Sequence, residues 1–218
     1  MKNGLDIIDE VGDNHMMSSV DTPLRSDAFE LSDEEKIAEI EEHFEKIMQT
    51  LGLDLTDDSL KGTPKRVAKM FVKEIFGGLN PEKAPKASTF DNKYNYTEML
   101  VEKDITVYST CEHHFLPIVG KAHVAYFSEG KVIGLSKMNR IVDYYAKRPQ
   151  VQERLTIQVV KHLQKYLGNE VLEYLTYEEK DWSQDIFTNC DTVKSIYMSP
   201  RYGNPVFQDF YGNGKILF

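Results

Sequence analysis

The sequence predicts an α+β domain preceded by a pair of helices. Three observations carry this reading. Apolar residues recur at helical spacing in two segments before residue 80, the period changes to two from about Met99, and helical spacing returns between Ser136 and Gly168 before two further extended segments.

Residues 1–30 are polar and acidic with no sustained period, and read as a mobile tail. At Ser32 the pattern changes. Ser32 and Glu35 have the spacing of a capping box, and Ile37, Ile40, Phe44, Ile47, Met48 and Leu51 follow on one helical stripe, with Gly52 as a stop. A second helix is expected from Thr63 as cap and Pro64 in the first turn, with Val67, Met70, Phe71 and Ile75 apolar and Gly77-Gly78 at its end. From Met99 the chain alternates: Ile105 and Val107 point one way, Thr106 and Tyr108 the other. A second strand is expected over residues 118–127, and the Ser128-Glu129-Gly130 turn leads into a short strand over residues 131–135. Ser136 is placed as the cap of a helix carrying Met138, Ile141, Val142 and Tyr145, broken by Pro149. The last helix turns Val151, Leu155, Val159, Leu163, Tyr166 and Leu167 inward and ends at Gly168. Strands are expected near residues 171–177 and 193–198. The expected organisation is a tail over residues 1–30, a helical region over 31–95 and an α+β domain over 96–218.

Composition narrows the function. The chain has 218 residues, 41% hydrophobic and 28% charged, enough for one sizeable core. A net charge of −9 argues against non-specific binding to nucleic acid or an anionic membrane surface. No run approaches the roughly 18 apolar residues of a membrane helix, and the first residues lack the apolar centre of a signal peptide. Two cysteines do not make a disulfide framework, so a cytoplasmic protein with reduced thiols is expected.

Chemistry concentrates in Cys111-Glu112-His113-His114, directly after a predicted strand. Thiolate and imidazole are favoured zinc ligands, and a catalytic zinc takes three protein ligands and keeps one position open. A Cys-x-x-His spacing brings two such donors to one point, and a histidine between them suits proton transfer near neutral pH. The same spacing also describes a buried cysteine beside two surface histidines. Further on, Ser136 opens a helix whose first-turn amides attract anions, and Lys137 and Arg140 lie three apart on it. Their plainer reading is ordinary surface charge, and that of Glu153 is a solvated helix residue.

These segments together resemble GTP cyclohydrolase I. The run Ser109-Thr110-Cys111-Glu112-His113-His114-Phe115 is similar to the family's zinc signature. Its later motifs are matched by the run from Val132 to Arg140 and by Arg148-Pro149-Gln150-Val151-Gln152-Glu153-Arg154-Leu155-Thr156. Its N-terminal helical motif is matched by Gly62-Thr63-Pro64-Lys65-Arg66-Val67-Ala68-Lys69-Met70. The resemblance is ordered from about Ser32 to Gly168. It implies a tunnelling fold, an antiparallel sheet with two helices whose copies close into barrels in toroidal homo-oligomers, typically decamers. It further implies zinc-dependent hydrolysis of GTP at C8, with formate release and formation of 7,8-dihydroneopterin triphosphate. Carried over by motif, Cys111 and His114 are zinc ligands and His113 transfers protons. Gln152 and Glu153 recognise guanine, Ser136, Lys137 and Arg140 meet the triphosphate, and Arg66 matches a further basic position.

The resemblance stops after Gly168. The family's next strand carries a His-x-Cys pair that supplies a catalytic histidine and the third zinc ligand. Counted without gaps, those places fall near Lys180 and Trp182, which substitute for neither. Cys190 is the other cysteine and the remaining thiol candidate for a third ligand. Two functional classes stay open: an active enzyme with an unusual third ligand, and a non-catalytic member of the family.

Overall fold

The computed structural model describes residues 19–128 and 130–167, together with the backbone of Val171–Tyr177 and Lys194–Tyr197. The chain divides into two compact units, one of residues 23–84 and one of residues 1–22 with 85–218.

The smaller unit is helical. Helix α1, Asp33–Thr50, begins as expected: the Ser32 hydroxyl accepts from the Glu35 amide while the Glu35 carboxylate accepts from the Ser32 amide at 2.8 Å. Gly52 follows its end at φ 79°, a conformation glycine adopts without a Cβ clash. Helix α2, Thr63–Met70, starts one residue earlier than the sequence reading places it. Gly62 occupies the cap position, and Thr63 with Pro64 forms the first turn. The helix then widens into a π-turn over Phe71–Ile75 and a 3-10 turn over Gly77–Leu79, so the predicted single helix is three short segments. α1 packs on α2, burying Ile37, Met48, Pro64 and Ala68.

The larger unit is built on a five-stranded sheet in the order β5-β2-β3-β6-β7. Its strands are β2 (Met99–Cys111), β3 (Pro117–Phe127), β5 (Pro149–Gln150), β6 (Val171–Tyr177) and β7 (Lys194–Tyr197). β2, β3, β6 and β7 run antiparallel, and β5 pairs with β2 in parallel. A separate two-stranded ribbon joins β1 (Thr89–Asp91) to β4 (Lys131–Ile133). The sequence reading did not provide for β1 or β5. Each has three residues or fewer, too short to show a period.

Two helices cover one face. α3 (Leu135–Ala146) packs on β2, and α4 (Gln152–Leu167) packs on β6 and on α3. The alternation in β2 works as read: Ile105 and Val107 are buried, whereas Thr106 and Tyr108 are exposed. They join Val124, Tyr126, Met138, Ile141, Leu155, Val159 and Leu163 in one core. Ser136 is not the cap of α3. Gly134 holds that position, so Ser136 lies inside the first turn. The fold is α+β, a mixed sheet with helices on one face, consistent with a tunnelling-fold arrangement. No described helix is long and apolar enough to cross a membrane.

Candidate active site

β2 ends on the residue that opens the site. Cys111 is its last residue and lies in register with Gln150 of β5, next to the Thr110–Pro149 pair. The Cys111 amide donates to the Leu116 carbonyl at 2.8 Å, and the Phe115 amide donates to the Cys111 carbonyl at 2.9 Å. These bonds close a tight turn over Glu112, His113 and His114. Phe115 takes φ 58° to return the chain into β3, a left-handed conformation that a non-glycine residue adopts infrequently. The Glu112 amide donates to the Gln150 carbonyl at 3.1 Å, so β5 ties the turn down from the side. One strand end therefore carries four consecutive polar side chains, with Cys111 and Glu112 half-buried and both histidines exposed.

Within the turn, His113 lies between a thiol and a carboxylate. Its Nδ1 is 3.7 Å from Cys111 Sγ and its Nε2 is 4.0 Å from Glu112 Oε1. The His113 and His114 rings meet edge-on, with centroids 6.4 Å apart and planes at 69°. Glu112 is gripped in turn by Arg154 of α4, which donates from Nη1 to Oε2 and from Nη2 to Oε1, the latter at 3.2 Å. The Arg154 Nε–H donates to the Ser19 carbonyl at 2.7 Å. Arg154 is 2% exposed, and a guanidinium so deep needs a bidentate carboxylate to offset its lost hydration.

Zinc suits these donors in kind. Cys111 and His114 offer a thiolate and an imidazole on a turn whose backbone is hydrogen-bonded at both ends, while the Glu112 carboxylate is engaged by Arg154. They form an incomplete set: among the described residues no group of three histidine, cysteine or acidic side chains converges for a metal. Cys190 lies outside the described residues, as do Lys180 and Trp182.

The other candidates sit at helix starts. Ser136 and Lys137 occupy the first turn of α3, with Arg140 one turn on; Lys137 is half-buried and the other two are exposed. The Lys137 amide donates to the Gly134 carbonyl at 2.8 Å, whereas the amides of Leu135 and Ser136 have by position no carbonyl within the helix, which leaves this end suited to an anion. Gln152 and Glu153 open α4, the glutamine buried and the glutamate half-buried. Arg66 belongs to the helical unit, where its Nη2 donates to Ser59 O and to Thr63 Oγ1, both at 3.1 Å.

Comparison with known proteins decides the family. The family model described as GTP cyclohydrolase I matches residues 40–175. Over 170 residues the chain is 72% identical to GTP cyclohydrolase 1 of Flavobacterium johnsoniae, covering 78% of this chain and 76% of the relative. The chain belongs to the GTP cyclohydrolase I family. Two more GTP cyclohydrolase 1 proteins extend the match. That of Aeromonas salmonicida is 56% identical over 68% of this chain and 67% of its own length. That of Vibrio parahaemolyticus is 54% identical over 69% of each. Membership in the GTP cyclohydrolase I family places the chain among enzymes. The matched segment contains Arg66, Cys111, His113, His114, Ser136, Lys137, Arg140, Gln152 and Glu153, and stops short of Cys190.

Sequence reasoning missed what supports the turn. Arg154, Gln150 and Ser19 carried no assigned role, and Glu112 was read only as part of a motif. A signal for Arg154 existed: Arg154, Gln158 and His162 recur every four residues along α4, and all three are buried. Gln158 donates to the Val20 carbonyl at 3.3 Å, so the polar stripe holds residues 19–22 much as the apolar stripe holds the sheet.

Proposed function

We propose that the chain uses zinc to hydrolyse GTP at C8 of the guanine ring, releases formate and yields 7,8-dihydroneopterin triphosphate, the first step toward tetrahydrofolate or tetrahydrobiopterin. The Cys-Glu-His-His turn carries the reading: it puts a thiol and two imidazoles on one rigid strand end inside the segment the family model matches.

On this reading Cys111 and His114 would hold the metal, with Cys190 as third ligand. Zinc in such a site supplies Lewis-acid activation of water near neutral pH. His113 moves a proton at the imidazole part of the purine. Its ring is suited to this because one nitrogen faces Cys111 Sγ at 3.7 Å and the other faces Glu112 at 4.0 Å, which limits its rotation. Glu153 accepts hydrogen bonds from guanine N1–H and the 2-amino group, a donor pair that adenine lacks, and Gln152 sits beside it. Ser136, with the first-turn amides of α3, and the charges of Lys137 and Arg140 receive the triphosphate. Arg66 takes the supporting basic role of its motif. The working form is a homo-oligomer, a decamer as in the family, with no nucleic-acid or membrane partner.

Incubation with GTP tests the reading. Formate and a pterin that fluoresces after oxidation are expected from GTP and not from ATP. A folded, zinc-supplied protein that leaves GTP intact identifies a non-catalytic family member instead.

A further inference from the structure

We infer that Arg154 is a positioning residue for the reaction centre. It holds Glu112 so that the carboxylate fixes the ring of His113, and its own place is set from outside the site by the carbonyl of Ser19. The inference rests on the reading of Cys111, His113 and His114 as the reaction centre, and adds a residue to which that reading gave no role.

The geometry is a chain of contacts, hydrogen-bonded from Ser19 through Arg154 to Glu112 and ending in a 4.0 Å contact with His113. The guanidinium uses each of its nitrogens: Nε on Ser19 O at 2.7 Å, Nη2 on Glu112 Oε1 at 3.2 Å and Nη1 on Glu112 Oε2. The same Oε1 lies 4.0 Å from His113 Nε2. Glu112 is the residue between Cys111 and His113, and its amide is bonded to Gln150 O. Backbone and side chain of one residue are therefore fixed by two different elements, β5 and α4. A planar fork is required to serve both carboxylate oxygens and a carbonyl behind it. A lysine ammonium is a single point and cannot reproduce that set. A charged side chain at 2% exposure is costly to keep, yet an apolar residue at this place on α4 would pack on the core without that cost. The arrangement is better explained by what it orients than by stability.

Substitution separates positioning from mere folding. In Arg154→Lys, kcat for GTP should fall about 10- to 100-fold with KM changed less than about twofold. The NMR signals of His113 and His114 should shift while that of His162, elsewhere on α4, stays put. Unchanged kcat, unmoved histidine signals, or a loss confined to KM would overturn the proposal. If Arg154→Lys does not accumulate folded, Glu112→Gln and Glu112→Ala decide, because Arg154 remains in place. Gln still offers an acceptor to the guanidinium and should keep at least about ten times the kcat of Ala, and equal activity overturns the idea. The NMR arm needs no turnover. A wild-type protein that ignores GTP thus refutes the functional reading while the histidine signals still judge Arg154.

Discussion

His113 and His162 show how neighbours set what one imidazole does. His113 is exposed, with a thiol on one side and a carboxylate on the other, and in the proposed function it is the residue that meets the substrate. His113→Ala is expected to lower kcat about 10²- to 10⁴-fold while zinc content holds; loss of zinc together with activity would make it a ligand instead. His162 is buried on α4. Its Nε2 faces the Pro85 carbonyl at 3.3 Å, which only accepts, so Nε2 carries the proton and Nδ1 accepts from the Tyr145 hydroxyl at 3.0 Å. Burial lowers its pKa, with Lys165 and Arg148 adding to the effect and the Pro85 bond opposing it. A histidine depressed in the fold binds its proton more readily when the chain is unfolded. Its contribution to stability is therefore present above the unfolded pKa of about 6.5 and is lost as pH falls through the folded value. Thermal midpoints should drop on acidification below about pH 6.5 more for wild type than for His162→Gln; parallel curves would remove His162 from the acid response.

At the scale of elements, local signals and packing agree for most of the chain. The Ser32–Glu35 box starts α1, so Ser32→Ala should cost about 1 kcal/mol of the helical unit's stability in denaturant unfolding, and no change would mean the cap is redundant. On α4, Leu155→Ala should cost about 2–5 kcal/mol, because Leu155 is fully buried in the core shared with β2, β3 and α3. These elements were legible because long periodic stretches state which face is inward. The strands expected near residues 171–177 and 193–198 fall on β6 and β7, although no long period marks them. What was not legible depends on contacts distant in sequence. β5 is two residues of strand made by pairing with Thr110 and Cys111, and no local pattern marks it. The capping of α3 by Gly134 instead of Ser136, and the break of α2 into a π-turn, turn on backbone hydrogen bonds that residue type alone does not fix. In the site, the turn residues were legible as a motif. Arg154 was not, because its partners Glu112 and Ser19 are 42 and 135 residues away.

At the scale of the molecule, the described surface leaves unfinished edges. Among the described residues no strand pairs with β2 before Thr110 on the side of β5, and Tyr108, Phe115, Leu116 and Leu135 are exposed large hydrophobics. An open edge and exposed apolar side chains fit the proposed homo-oligomer. Sedimentation of the wild type should give a species about ten times the chain mass, as the family resemblance implies, and a monomer would contradict the assembly. The most direct test of the whole account is a zinc titration of metal-stripped protein, followed by formate release from GTP. The account predicts no formate without zinc, release rising with added metal, and a plateau at about one zinc per chain. Full turnover in the stripped protein, or none at saturating zinc, would contradict it.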